Sequence, residues 1–164
     1  MVKSSKHKVR AEDLELYIQE SLAEAVDAAA EDAINYLCRY IEKNWYGTYD
    51  PKHYKRTYDF LASATKTDTT LTGKGEAVCL LFFDTNKLIP EYHGGLNAHM
   101  GFDQKPSSDF LPAMIERGGF FEGRGLENGL GAMEKTICML EKDFPDMVAK
   151  KLRKQGLKIK ITGK

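Results

Sequence analysis

The chain has 164 residues, 42% hydrophobic and 29% charged, with 24 cationic and 24 acidic side chains and no formal net charge. That length fits one domain, residues 1–164, with enough apolar surface to bury a core without metals or crosslinks. The charge balance excludes a whole-molecule field that would draw the protein to nucleic acid or to a membrane. Cys38, Cys79 and Cys138 are far apart and odd in number, which is no zinc spacing and no disulfide framework and favours a reducing compartment.

Residues 1–10 form a basic arm that runs into acidic sequence with no apolar segment between, so no secretory signal is expected. No apolar stretch approaches the roughly 20 residues that cross a bilayer. The expectation is a soluble protein made in the cytoplasm, with no membrane partner.

From Ala11 to Lys43 apolar residues recur at Leu14, Ile18, Leu22, Ala25, Ala29, Ala33, Leu37 and Ile41. Steps of three and four predict one long amphipathic helix. At 1.5 Å per residue it would span about 50 Å, long for a domain this small. Two readings follow: a core helix of its own chain, or one that also packs against neighbouring subunits.

Residues 45–54 are an aromatic linker broken by Gly47 and Pro51. A β-rich stretch is expected over 58–92. Tyr58–Lys66 is strand-compatible, and Gly73–Glu76 suits a hairpin connection. Ala77–Phe83 is a continuous apolar run that predicts a strand buried on both faces. Asp84–Lys87 then makes a turn into a short return strand ending near Pro90.

Ser107 or Ser108 can cap a short helix reaching Arg117. Residues 118–131 form a glycine-rich loop. A C-terminal helix is expected over 132–156, kinked or restarted at Pro145 and stopped by Gly156. Leu157 to Ile161 alternate strictly with lysine, predicting a final edge strand over 157–162. The fold class is therefore α+β, with long N-terminal and C-terminal helices packed on a small antiparallel sheet.

Chemistry-bearing motifs are sparse. His93 and His99 flank a glycine turn, but six-residue spacing is no standard zinc pattern. The glycine loop lacks the GK[ST] ending of a phosphate-binding loop. Asp103, Asp109 and Glu116 are not paired by any motif, and no serine or cysteine sits in a nucleophile elbow. No enzyme activity, cofactor or metal is expected. The C-terminal cations Lys150, Lys151, Arg153 and Lys154 suit sequence-independent contact with phosphates, or a plain solvated helix face.

YDPKHYKRTYDFLAS, Tyr49 to Ser63, is the most distinctive segment. It resembles the signature of phage and prophage tail-completion, or head–tail joining, proteins. In that family a long N-terminal helix leads to a proline turn, an arginine, a leucine and a serine that opens the first strand. The matching positions are Pro51, Arg56, Leu61 and Ser63. IERGG, Ile115 to Gly119, is similar to the family's acid–glycine loop, and the C-terminal helix matches in position. Lys52 and His53 replace the usual threonine–glycine, and residues 93–105 resemble an insertion.

The resemblance implies a virion protein of the phage neck, a six- or twelve-fold ring contacting itself and the portal, connector and tail proteins, with non-specific contact to packaged DNA. Candidate subunit contacts are Tyr54, Arg56, Tyr58, Gly118, Gly119 and Arg124. Arg56 between tyrosines suits stacking or a bidentate carboxylate contact. Charge of opposite sign at separated ends suits head-to-tail contacts that close into a ring. The alternative is a nucleic-acid-binding accessory protein using the basic C-terminus.

Overall fold

The computed structural model describes residues 10–48, 58–73, 75–88, 111–117 and 129–162. The architecture is α+β. Helix α1 (Ala11–Ile41) passes without a break into a π-helical turn, Glu42–Tyr46. A one-turn α2 (Asp59–Ser63) precedes strands β1 (Ala64–Lys66), β2 (Thr70–Gly73), β3 (Glu76–Val78) and β4 (Leu81–Phe83). A 3-10 turn (Thr85–Lys87), helix α3 (Leu111–Arg117) and helix α4 (Ala132–Lys154) complete the order. The chain divides into two compact units: Met1–Ala30 with Thr67–Leu80 and Asp143–Lys164, and Glu31–Lys66 with Leu81–Lys142.

The second unit holds the larger core. Leu37 and Ile41 from α1 meet Phe60, Leu88, Ile115, Leu130 and Ala132 in one buried cluster. Phe60 stacks on Phe83 with ring centroids 4.8 Å apart and meets Trp45 edge-on at 6.5 Å. The two fully buried hydroxyls satisfy themselves locally: Ser63 Oγ donates to the Phe60 carbonyl at 2.7 Å and Thr136 Oγ1 to the Ala132 carbonyl at 2.8 Å. β1 and β4 pair antiparallel, Ala64 opposite Phe83 and Lys66 opposite Leu81.

The first unit is built on small residues. Ala25, Ala29 and Ala30 of α1 and Ala149 of α4 are buried. β2 and β3 form a separate antiparallel hairpin, Thr70 opposite Val78, with an irregularity between Leu71 and Gly73. Thr69 Oγ1 ties it to α1 by donating to Asp27 Oδ1 at 2.8 Å. At the C-terminus of α4, Gln155 Nε2 donates to Glu24 Oε2 at 2.8 Å.

Both long helices, the 84–87 turn and the Gly156 stop follow the sequence pattern. Asp84 caps its turn by accepting the Asn86 N–H at 3.1 Å. Gly156, at φ +89°, ends α4 with its N–H on the Arg153 carbonyl and the Leu157 N–H on the Leu152 carbonyl, both at 3.1 Å. That pair of bonds is the Schellman stop, and it needs a left-handed residue.

Other expectations are corrected. Residues 59–63 are helical rather than extended, and Ser63 ends that helix one residue before the strand it was expected to open. Among the described residues there are two two-stranded sheets instead of one. The 77–83 run is split between them, and between the halves Thr67 grips the chain. Its N–H donates to the Leu80 carbonyl at 2.9 Å, and its Oγ1 accepts the Leu80 N–H at 3.0 Å.

Nor is that run covered on both sides. Ala77, Cys79, Leu81 and Phe83 are half-buried, while Val78, Leu80 and Phe82 are exposed. Two strands without a second layer shield one face only. In place of the return strand, the 3-10 turn leads into buried Leu88, and Pro90 lies outside the described residues. α4 runs unbroken through Pro145. The ring leaves the Glu141 carbonyl without its helical donor, but both residues are exposed and water can take that bond. Residues 157–162 alternate half-buried and exposed as expected, yet belong to neither sheet.

Candidate functional site

Of the signature segment, Tyr58, Leu61 and Ser63 are described; Pro51, Tyr54 and Arg56 lie outside the described residues. Tyr58 enters α2 in a left-handed conformation, φ +59° and ψ +16°, a costly choice for a bulky side chain. Its carbonyl accepts the Ala62 N–H at 3.0 Å, and its ring packs on Tyr46 with centroids 4.5 Å apart. The side chain is nonetheless exposed. Leu61 packs against the second unit's core and Ser63 is fully buried inside it. Two of these three positions therefore build the fold, and Tyr58 alone offers a surface.

In IERGG the carboxylate is structural. Glu116 Oε2 accepts the Met133 N–H at 2.8 Å, at the first turn of α4. The Leu130 and Gly131 N–H groups donate to the carbonyls of Ile115 and Glu116. Glu116 thus caps a helix that begins sixteen residues later in sequence, joining α3 to α4. Burial lifts its carboxyl above the ordinary range, and Glu134 adds to the rise against the pull of the Met133 and Ala132 N–H groups. Its Oε1 is buried without a partner. Gly118, Gly119 and Arg124, with His93, His99, Asp103, Asp109, Ser107 and Ser108, lie outside the described residues.

Among the described residues no group of three His, Cys, Asp or Glu side chains could hold a metal ion, and no helix is long and apolar enough to cross a membrane. Burial, then nearby Glu42, raises the Cys38 thiol, which keeps it protonated and a poor nucleophile. Lys150, Arg153 and Lys154 are exposed on α4, while Lys151 is half-buried and has an interaction of its own. Arg153 Nη2 donates to the Ile159 carbonyl at 3.2 Å, so it also holds the final segment.

The first unit bears the feature that periodicity alone did not reveal. A groove of about 490 Å³ is lined by Leu22 and Val26 of α1, Val78 of β3, Val148 and Leu152 of α4, and Ile159 of the final segment. Lys160 and Glu76 also line it. In the same unit large apolar side chains stand bare: Leu14 at 52%, Ile18 at 46%, Val78 at 42% and Leu80 at 61% of full exposure. Leu14 and Ile18 belong to the apolar stripe of α1, for which a core role and packing against neighbouring subunits were both open. Their one advance signal was a helix longer than a small domain needs.

The YomN family model matches residues 10–160, a span that takes in every helix and strand described above. No curated protein and no solved structure matches the chain.

Proposed function

The chain belongs to the YomN family, a phage-derived family, and from that premise we propose that it is a structural virion protein of a tailed phage or prophage, forming a neck or tail-completion ring that joins head to tail. The carrying observation is the bare apolar surface of the first unit, from Leu14 and Ile18 on α1 to Val78 and Leu80 beside the hairpin. Exposed apolar side chains of this size mark surfaces that protein can cover. The Tyr49–Ser63 resemblance supports a position in the neck. On this reading the chain catalyses nothing and serves contact: with itself, with portal or connector proteins and with tail proteins.

The test is direct. Particles released after induction are analysed by mass spectrometry and imaged by electron cryomicroscopy, with copies of the chain expected in a ring between head and tail. Particles that contain none would overturn the assignment.

Exposed Lys150, Arg153 and Lys154 favour a second reading, a nucleic-acid-binding accessory protein. It requires the purified protein to bind duplex DNA with an affinity that falls steeply as salt rises. No binding at low salt removes it.

A further inference from the structure

We propose that the groove of the first unit closes on itself: residues 158–161 move onto the free edge of β3, become the third strand of the β2–β3 sheet and cover the aliphatic side chains between them.

The first observation is an unpaired extended segment. Leu157, Ile159 and Ile161 are half-buried while Lys158 and Lys160 are exposed, the period of a strand with one covered face. The segment belongs to neither sheet. Among the described residues, the backbone of 158–161 takes one hydrogen bond, from Arg153 Nη2 to the Ile159 carbonyl at 3.2 Å. It follows directly on the Gly156 stop, where φ is +89°.

The second observation is a free strand edge that faces it. β2 takes one edge of β3, and among the described residues no further strand pairs with that sheet. The groove opens on the other side, since Glu76, Ala77 and Val78 line it and no residue of β2 does. Its opposite wall is Ile159, Lys160 and Ile161. In each wall the lining residues are consecutive. A strand turned face-on would offer alternate residues only, so both walls present a backbone edge. Leu22 and Val26 of α1 and Val148 and Leu152 of α4 complete the lining. An unpaired strand edge is a template for another strand, and the chain's own segment lies across the groove from it.

Side-chain parity fits the pairing. Ala77 is half-buried, while Glu76 and Val78 are exposed. Pairing Lys160 with Glu76 sets Ala77 beside an isoleucine on the inner face and joins opposite charges on the outer one, a favourable cross-strand pair. Backbone groups of successive residues in a strand point to opposite edges. The Ile159 carbonyl is turned to Arg153, which does not line the groove, so the N–H and carbonyl of Lys160 are the ones turned toward β3.

The test is nuclear magnetic resonance on the purified full-length chain. Wild type is expected to show nuclear Overhauser contacts between the backbone protons of 76–78 and those of 158–161. Its Lys160 amide should exchange at least about tenfold more slowly than an unpaired one. Lys160→Pro removes the donor and cannot sit in the ladder, so it should abolish these contacts. Lys160→Ala should keep them. Helix content should be unchanged in both, because Lys160 is exposed and lies beyond the end of α4. Wild-type spectra without contacts between the two stretches, or contacts that survive Lys160→Pro, would overturn the proposal. Because closure is read on the free protein, its failure leaves the virion reading, which is tested on particles, standing.

Discussion

Replacing Glu116 by alanine removes the acceptor that the Met133 N–H reaches at 2.8 Å. Loss of a helix-capping acceptor costs about 0.5–2 kcal/mol, and a donor left unpaired away from water costs about 1–3 kcal/mol. Glutamine keeps the capping carbonyl and exchanges the partnerless Oε1 for a partnerless amide, so its cost is smaller. The two variants also differ from wild type in charge. Burial holds the Glu116 carboxyl above the ordinary range. A group raised in the folded state contributes stability that is full below its unfolded value and is lost as pH climbs through the folded one. Wild type should therefore lose ground to Glu116→Gln as pH rises out of the acid range, while Glu116→Ala stays below Glu116→Gln throughout by about 1–2 kcal/mol. Urea unfolding followed by far-ultraviolet circular dichroism, from about pH 4 to about pH 8, reads both differences. Parallel pH profiles for wild type and Glu116→Gln would refute the burial-raised carboxyl, and an alanine variant as stable as the glutamine one would refute the capping role.

Three further substitutions probe the packing, each read by the same unfolding assay. Leu37→Ala, at a fully buried position of the second unit's core, should cost about 2–5 kcal/mol. Gly47→Ala would place a Cβ 2.6 Å from the Lys43 carbonyl oxygen; the π-helical turn must shift, with a loss of about 1–3 kcal/mol. Gly156→Ala meets open space but is held at φ +89°, so its loss of about 1–2 kcal/mol is backbone strain, expected as fraying at the end of α4 in hydrogen exchange.

What was legible in the sequence is what local rules decide. The i, i+3, i+4 spacing of α1 and α4, the Asp84 turn and the Gly156 stop each depend on a few adjacent residues. The missed features depend on partners far along the chain. Asp59–Ser63 has no alternation, and one helical turn forms there because Phe60 stacks on Phe83. Glu116 carries no mark that identifies it as the cap of a helix beginning at Ala132. Pro145 was expected to kink or restart α4; the helix does not restart there, and the proline ring and the carbonyl it leaves unpaired are both on an exposed side. Of the residues singled out as subunit contacts, Tyr58 is exposed on the surface, and the other five lie outside the described residues.

The apolar periodicity of α1 is one continuous stripe, and periodicity alone does not separate its two parts. Ala25, Ala29 and Ala33 are covered by their own chain; Leu14 and Ile18 carry the same period and are not. Ala77–Phe83 repeats the case, with two apolar faces and a cover for one. Periodicity records that a face avoids water, and a core and an interface satisfy it equally. What separates them is length: whether the rest of the chain is long enough to cover every apolar position. Among the described residues of α1 it is not: Gln155 bonds the helix at Tyr17 and Glu24, yet Ile18 between them and Leu14 beyond them are both about half exposed. Side-chain size points the same way, since the covered stretch uses alanine, which permits close helix approach, and the bare stretch uses leucine and isoleucine. Large aliphatic residues left half exposed on a helix face are the kind of surface that a second protein covers.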